Sequence, residues 1–309
     1  MSVRKILGLL LAVAAICLLT FTGCLLIRVA GMHSPPPGPE DDMHGFDSFS
    51  FALSGPGFHR DIRVYYSPKQ GPPVLLLHEL PGMTSACVCF ARRLAAARFT
   101  VYMPLLFGKA GGLPLKTREI LKICRSAEIS CYRNRPSPAA EALVPLVDTI
   151  QQRDWTKDTP VGAIGMCLTG NFPLVLIQHG CVRAAVLSQP ATPLPLLPGE
   201  AKTLGITGPQ LDRAHANKAA IMVFRFTTDP IAPEERLGTL KRSFPEQIQI
   251  YPVFALDKSH SVFADGYKPN LPETATAERH LVEFLHAQLD AGTTTPPCSG
   301  APHAPAGAS

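Results

Sequence analysis

The chain is 309 residues long, with 46% apolar and 17% charged residues, a composition that excludes wholesale disorder and supplies ample material for a buried core. Its 29 Lys and Arg stand against 24 Asp and Glu, and the first 31 residues hold Arg4, Lys5 and Arg28 without an acid, so the remainder carries only 26 − 24 = +2. With no basic stripe interleaved with aromatics, a nucleic-acid partner is excluded.

Arg4 and Lys5 precede an apolar run from Ile6 to Ile27. As a helix these residues span about 33 Å at 1.5 Å per residue, enough to cross a bilayer's hydrocarbon core. Residues 1–31 are therefore expected to form a membrane anchor with its basic flank in the cytoplasm and the following domain outside it. Two alternatives share that outcome. Phe21-Thr22-Gly23-Cys24 resembles a lipoprotein box with Cys24 as the lipidated residue, and a cleaved signal peptide would carry a shorter apolar region, usually about 7–15 residues. Residues 32–45 contain Pro35-Pro36-Pro37-Gly38-Pro39 followed by Glu40, Asp41 and Asp42, a stiff solvated linker. Residues 292–309, rich in Thr, Pro, Ala and Gly, have nothing to bury and are expected to be disordered. The folded domain is expected over 46–291.

Within it, short apolar runs at Val74–His78, Phe99–Met103, Val161–Met166, Ala184–Leu187, Ile221–Phe226 and Ile248–Val253 read as strands buried on both faces. Helical periodicity falls between them at Ser85–Ala97, Pro138–Arg153, Leu168–His179, Pro233–Ser243 and Ala275–Asp290. That alternation predicts an α/β fold, a mostly parallel sheet with helices on both faces. Phe46–Leu53 and Asp61–Tyr66 alternate apolar and polar residues and suit an antiparallel edge. Ligands of such sheets bind beyond the carboxyl ends of the strands.

Beyond one such end stands Gly165-Met166-Cys167-Leu168-Thr169-Gly170. A strand entering a helix through Gly-x-nucleophile-x-small is the pattern of a nucleophile elbow. Cysteine suits that place because a helix N-terminus and a nearby imidazole both favour its thiolate. The plainer reading is a buried packing cysteine. Asp229 follows the strand ending at Phe226, and His260 follows the strand ending at Val253. Singly, Asp229 reads as a turn former and His260 as a loop histidine. Together, Cys, Asp and His at successive strand ends follow the chain order of α/β-hydrolase triads. His78-Glu79 lacks a second histidine at Gly82, which excludes HExxH zinc ligation. GxSxG, GxGxxG and GxxxxGK[ST] are all absent. No CxxC pair occurs among the nine cysteines, so no structural zinc site is expected.

Leu77-His78-Glu79-Leu80-Pro81-Gly82, the cysteine elbow, the Asp229 loop and Ser259-His260-Ser261-Val262-Phe263 together resemble the dienelactone hydrolase family over about residues 46–285. The resemblance implies an α/β-hydrolase-like fold and hydrolysis of a small ester or lactone through a thioester. Cys167 would be the nucleophile, His260 the base, Asp229 its orienter and Glu79 the carboxylate that contacts the resting thiol. The backbone N–H groups of Leu80 and Leu168 would bind the oxyanion. It implies neither a metal nor an organic cofactor. Two departures bear on substrate and pose: Ala264 and Asp265 stand where family members acting on dienelactone carry a carboxylate-binding arginine, and Thr169 is bulkier than the usual elbow residue.

Residues 104–137 hold seven Lys and Arg against Glu119 and Glu128. A solvated face is the preferred reading of this insertion, with a basic roof over the pocket or contact with anionic lipid as alternatives. Cys87 and Cys89, two apart on a helix, are expected on different faces. Cys124 and Cys131 are spaced to close a loop by disulfide in an oxidising compartment. Cys17 and Cys181 read as packing residues, as does Trp155, while His179, His280 and His286 read as surface or capping residues. Two functions from different classes remain: an exported, membrane-anchored cysteine hydrolase of short esters or lactones, and a non-catalytic module that keeps the fold for binding or as an envelope scaffold.

Overall fold

A computed structural model describes residues 43–129, 131–132, 134–153, 159–194, 200–254, 259–268 and 271–290. The expected anchor over 6–27, Cys17, Cys24, the Pro-rich linker, Trp155, Cys298 and the tail all lie outside the described residues. Among the described residues no helix is long and apolar enough to cross a membrane.

Eight strands of the described residues form one sheet: β1 (Asp47–Gly55), β2 (Phe58–Tyr66), β3 (Pro73–Leu77), β4 (Thr100–Pro104), β5 (Val161–Met166), β6 (Val182–Ser188), β7 (Ala220–Phe226) and β8 (Ile248–Val253). Their spatial order is β1-β2-β4-β3-β5-β6-β7-β8. β1 and β2 pair as an antiparallel hairpin, β2 runs antiparallel to β4, and every later pairing is parallel. The alternating residues of β1 and β2 therefore form the antiparallel edge that their pattern suggests. β3, β4, β5 and β6 are buried at every position, which explains their unbroken apolar runs: both faces carry helices. β8, expected to be buried on both faces, is instead the other edge of the sheet, with Gln249 and Pro252 exposed and only Val253 fully buried. Chain order reverses about β3, whose neighbours are β4 on one side and β5 on the other. A crevice at that reversal is where open α/β sheets hold ligands.

Eight helices of the described residues accompany these strands: α1 (Ser85–Ala96), α2 (Thr117–Arg125), α3 (Pro138–Ala142), α4 (Val144–Arg153), α5 (Phe172–Leu176), α6 (Gly208–Asn217), α7 (Glu234–Ser243) and α8 (Pro272–Leu289). α1 begins at Thr84, whose hydroxyl accepts from the Cys87 N–H, and it buries Cys87, Val88, Phe90, Ala91 and Leu94. On the same helix Cys89 is exposed. The expected helix over 138–153 is instead two helices meeting at Leu143, because Pro145 has no N–H to offer the carbonyl of Glu141. The expected helix from Leu168 to His179 is also shorter. A 3₁₀ turn over Cys167–Thr169 precedes the five residues of α5, which carries a proline in its first turn. α2 places Ile120, Leu121, Ile123 and Cys124 at helical spacing and buries Ile120 and Cys124, inside the insertion whose charge reads as a solvated face; α6 carries too few apolar residues for periodicity to reveal it and buries only Gln210 and Ala214.

Strand register carries the fold into the site. Leu77 pairs with Gly165, Gly165 with Leu187, Leu187 with Val223 and Val223 with Ile250. These five residues form one row across the sheet. Glu79, Cys167 and Gln189 each lie two residues beyond it, on three adjacent strands.

Candidate active site

β5 stays extended through Met166, and Cys167 then turns to φ +51. A left-handed conformation costs a non-glycine residue about 1–2 kcal/mol, so the surroundings must hold it. They do so through two bonds to the Cys167 carbonyl, from the N–H groups of Gly170 (2.9 Å) and Ala191 (3.0 Å). Thr169, fully buried, accepts from the Met166 N–H through Oγ1 (3.0 Å), and its hydroxyl proton faces the Leu77 carbonyl at 3.0 Å. Far from crowding the elbow, Thr169 straps it to the end of β3. Space around the turn is minimal. A Cβ on Gly165 would stand 2.1 Å from the Thr169 carbonyl oxygen, and one on Gly170 would stand 2.5 Å from Pro190 Cα. Gly165→Ala is therefore expected to destabilise the domain by about 2 kcal/mol, read as a lower urea midpoint with an unchanged slope; an unchanged midpoint would refute the close fit.

Asp229 is buried in the loop after β7. Its Oδ1 accepts from the N–H groups of Ile231 (2.8 Å) and Ala232 (3.1 Å), and the Arg225 guanidinium ties down the Asp229 and Ala232 carbonyls. The carboxylate so oriented meets His260 Nδ1 at 2.8 Å. A carboxylate accepts, so Nδ1 carries the proton and Nε2 is left with its lone pair. Nε2 is buried, and among the described residues only the Cys167 sulfur stands against it.

Glu79, buried beyond β3, accepts from Ser261 Oγ (2.5 Å) and from Gln189 Nε2 (3.0 Å). The Gln189 amide cannot flip: Ser188 Oγ and the Val262 N–H both donate to its Oε1. Burial lifts the Glu79 carboxyl to about 7, with the nearby Asp265 adding to the rise, while His260, Ser261 and Gln189 oppose it. Asp265, itself raised by burial, accepts from Thr84. Sγ of Cys167, a ring nitrogen of His260 and a carboxylate oxygen of Glu79 all lie within 4.8 Å of one another. Burial also pushes the Cys167 thiol up, partly offset by His260. At His260 burial works against the charged ring, but the charges of a Cys167 thiolate and of Asp229 outweigh it. The resting sulfur is therefore a thiol, and a thiolate once formed is paired with imidazolium.

The raised Glu79 pKa makes a stability prediction. In the folded state the group holds its proton up to about pH 7, while unfolded it releases it near its ordinary 4.5. The native state thus loses relative stability as pH climbs from about 4.5 through 7. Glu79→Gln imitates the protonated acid, accepting from Gln189 and donating to Ser261. The variant should match wild type near pH 4.5 and exceed it by a widening margin in Tm up to about pH 7. A constant difference across that range would overturn the assignment.

The structure thus brings Cys167, His260 and Glu79 together, with Asp229 bonded to His260. Leu80 and Leu168 follow Glu79 and Cys167 directly in the chain. His78, buried and depressed to about 4 by desolvation, serves a different purpose. Its Nε2 accepts the Leu106 N–H (3.1 Å) and its Nδ1 donates to the Glu79 carbonyl (3.2 Å), fastening the loop after β4 to the end of β3. Sequence patterns do not single out Gln189 or Ser261. Their signal is the register row and the position next to His260, neither visible without strand pairing.

His179 is buried rather than on the surface. Its Nδ1 accepts the Cys181 N–H and its Nε2 meets Asp148 at 3.0 Å, which caps the turn from α5 into β6. Cys124 and Cys131 are thiols rather than a disulfide; they are buried and in side-chain contact. Together with Arg125 and Arg135 they line a cavity of about 290 Å³ within the basic insertion. That insertion does not simply face solvent. Arg60 on β2 bonds Glu128 at 3.1 Å, and the Leu194 N–H bonds the Cys131 carbonyl, from the same segment whose Ala191 N–H reaches Cys167.

The fold is shared with solved proteins of low identity. The esterase of Pyrococcus furiosus superposes with a TM-score of 0.54 at 12% identity, over 84% of this chain and 100% of its own. A dienelactone hydrolase from Anabaena variabilis gives 0.52 at 14%, over 80% of this chain and 100% of its own. The dienelactone hydrolase-like promiscuous phosphotriesterase P91 from metagenomic libraries gives 0.50 at 16%, over 77% and 98%. Among curated protein sequences none matches the chain. The sequence profile of the dienelactone hydrolase family, however, matches residues 62–287, which run from β2 to near the end of α8 and enclose every residue of the site. With that match over well more than half its length, the chain belongs to the dienelactone hydrolase family, and with it to the hydrolases of esters and lactones.

Proposed function

We propose that the chain hydrolyses short carboxylic esters or lactones through a Cys167–His260–Asp229 triad and a thioester intermediate. The observation that carries this reading is the left-handed Cys167 at the end of β5, faced by an imidazole whose far nitrogen is committed to a buried carboxylate. His260 Nε2 takes the thiol proton as Sγ attacks the substrate carbonyl. The electron pair of the C=O bond moves to oxygen, where the backbone N–H groups of Leu80 and Leu168 receive the charge. The tetrahedral species collapses, the C–O bond to the leaving group breaks, and His260 returns the proton to the departing alkoxide or enolate. Water then attacks the thioester while His260 accepts its proton, the carbon–sulfur bond breaks, and acid and thiol are released. Glu79 stores a proton beside the thiol, and its charge state governs how readily the thiolate forms.

The test is to trap the acyl-enzyme. The full chain, mixed with a slowly deacylated activated ester and quenched in acid, should gain one acyl mass, mapped to Cys167 by peptide analysis. Labelling on any other residue, or hydrolysis without a Cys167 adduct under single-turnover conditions, would overturn the mechanism. A folded chain inert toward a broad panel of esters and lactones would favour the non-catalytic binding module. The site makes no demand for a cofactor in this scheme. The run 6–27 supports placing the domain outside the cytoplasm, anchored through that run or, alternatively, lipidated at Cys24; accessibility of the domain to protease added to intact cells tests it.

A further inference from the structure

The cluster beyond β3, β5 and β8 is also a ligand set. One sulfur, one imidazole nitrogen and one carboxylate oxygen, from Cys167, His260 and Glu79, lie within 4.8 Å of one another on three buried residues. Tetrahedral zinc with arms of about 2.0–2.3 Å holds its donors about 3.3–3.7 Å apart. The widest separation therefore has to close by at most about 1–1.5 Å.

Three further observations point the same way. His260 Nε2 is a buried nitrogen that no group other than the Cys167 sulfur engages among the described residues. Its Nδ1 is committed to Asp229, the carboxylate–histidine arrangement that orients imidazoles toward metals. Glu79 is likewise held by Ser261 and Gln189, so two of the three ligands are already supported from behind. Charge completes the argument. A thiolate and a carboxylate neutralise a dication, so the ion with its three direct ligands carries no net charge in surroundings where added charge is costly. A sulfur–nitrogen donor pair favours zinc-class ions over magnesium or calcium.

We propose that Cys167, His260 and Glu79 form a site for one thiophilic divalent cation of the zinc class, and that its occupancy reversibly silences the nucleophile. Binding displaces the Cys167 thiol proton, and that of Glu79 where it is present, to solvent. The sulfur lone pair that would attack a carbonyl and the nitrogen lone pair that would take a proton are then both engaged by the ion. Binding itself depends only on the geometry, whereas the silencing rests on the nucleophile reading given above.

Cobalt(II) makes the two separable. The metal-free full chain is titrated with Co²⁺ at about pH 7.5, and thiolate-to-cobalt charge-transfer absorption in the near ultraviolet is recorded before back-titration with Zn²⁺. One equivalent should bind, and zinc should displace it. The band should disappear in Cys167→Ala and persist in the Cys124→Ser/Cys131→Ser double variant, which removes the other adjacent thiol pair. Affinity should fall about tenfold in Glu79→Gln. Ester hydrolysis by wild type should cease at one equivalent of zinc and return on adding a chelator. A band that survives Cys167→Ala, or a Glu79→Gln affinity within threefold of wild type, would overturn the site. Cobalt binding at Cys167 without any ester hydrolysis in the metal-free chain would sustain the site and count against the hydrolase mechanism instead.

Discussion

Cys167→Ala is expected to lower kcat/KM for an activated ester by about 10⁴-fold or more, with little change in stability. Alanine inherits the positive φ at the elbow, so backbone strain is the same in both proteins. The bonds that Gly170 and Ala191 make to the carbonyl of residue 167 survive, since they involve only backbone. In the proposed mechanism the atom lost is the one that forms and breaks the bond to carbon. Residual rate would come from the proposed oxyanion donors and from substrate positioning, and it should no longer be sensitive to thiol alkylation. Cys167→Ser is a useful companion: the hydroxyl fills the same space, but its proton is far harder for His260 to remove. Parallel urea titrations check that both variants unfold at the wild-type midpoint. A Cys167→Ala rate within tenfold of wild type would mean that the nucleophile lies elsewhere.

The largest stability effect is expected at Arg236. This residue on α7 is completely buried, and its guanidinium donates to the carbonyls of Thr203 (2.8 Å), Pro190 (2.7 Å) and Pro193 (2.5 Å). Burial depresses its pKa to about 10, so it remains charged at neutral pH. Arg236→Met fills most of the volume but strands three carbonyls, each costing about 1–3 kcal/mol unbonded. Relief of the buried charge offsets part of that loss, and a net destabilisation of about 3 kcal/mol is expected. Activity should suffer as well. The segment that Arg236 holds also sends the Ala191 N–H to the Cys167 carbonyl and the Thr192 hydroxyl to the Leu168 carbonyl. Equilibrium unfolding in urea at neutral pH measures the first effect, and kcat well below the unfolding range measures the second. Arg236→Lys supplies donors without the planar fork, so it should recover only part of either. A loss under about 1 kcal/mol in the methionine variant would show that solvent reaches these carbonyls.

Much of this site is legible in the amino-acid sequence, for a specific reason. Cys167 and Asp229 each follow a run of apolar residues that reads as an interior strand, His260 follows the edge strand β8, and parallel strands deliver whatever follows them to the same edge of the sheet. Glu79 stands out only through the family resemblance, because an acid after an apolar strand otherwise reads as a loop residue. Gln189 hides in Ser188-Gln189-Pro190, which reads as a turn, and its proximity to Glu79 depends on pairing across three strands. Arg236 hides differently. Within Glu234-Glu235-Arg236 charge patterning points to solvent, and only the carbonyls of a distant segment draw the guanidinium inward. Periodicity makes the elbow helix too long because the apolar run from Phe172 to Ile177 conceals how abruptly Gly170, Asn171 and Pro173 shorten it. Asn171 turns its side-chain amide to the carbonyls of Thr192 and Leu204 instead.

The row Leu77–Gly165–Leu187–Val223–Ile250 sets unequal rules for lengthening or shortening this chain. One residue inserted inside β5 would exchange the two faces of everything beyond it, turning Cys167 away from His260 and placing a side chain where Gly165 leaves none. The same insertion at the opposite edge, in the turns that lead into β3, β6 or β7, shifts no residue of the row and leaves every working group where it was. Sequence length can therefore drift more freely on one side of the sheet, while on the other a single codon separates an assembled Cys167–His260–Glu79 cluster from a scattered one.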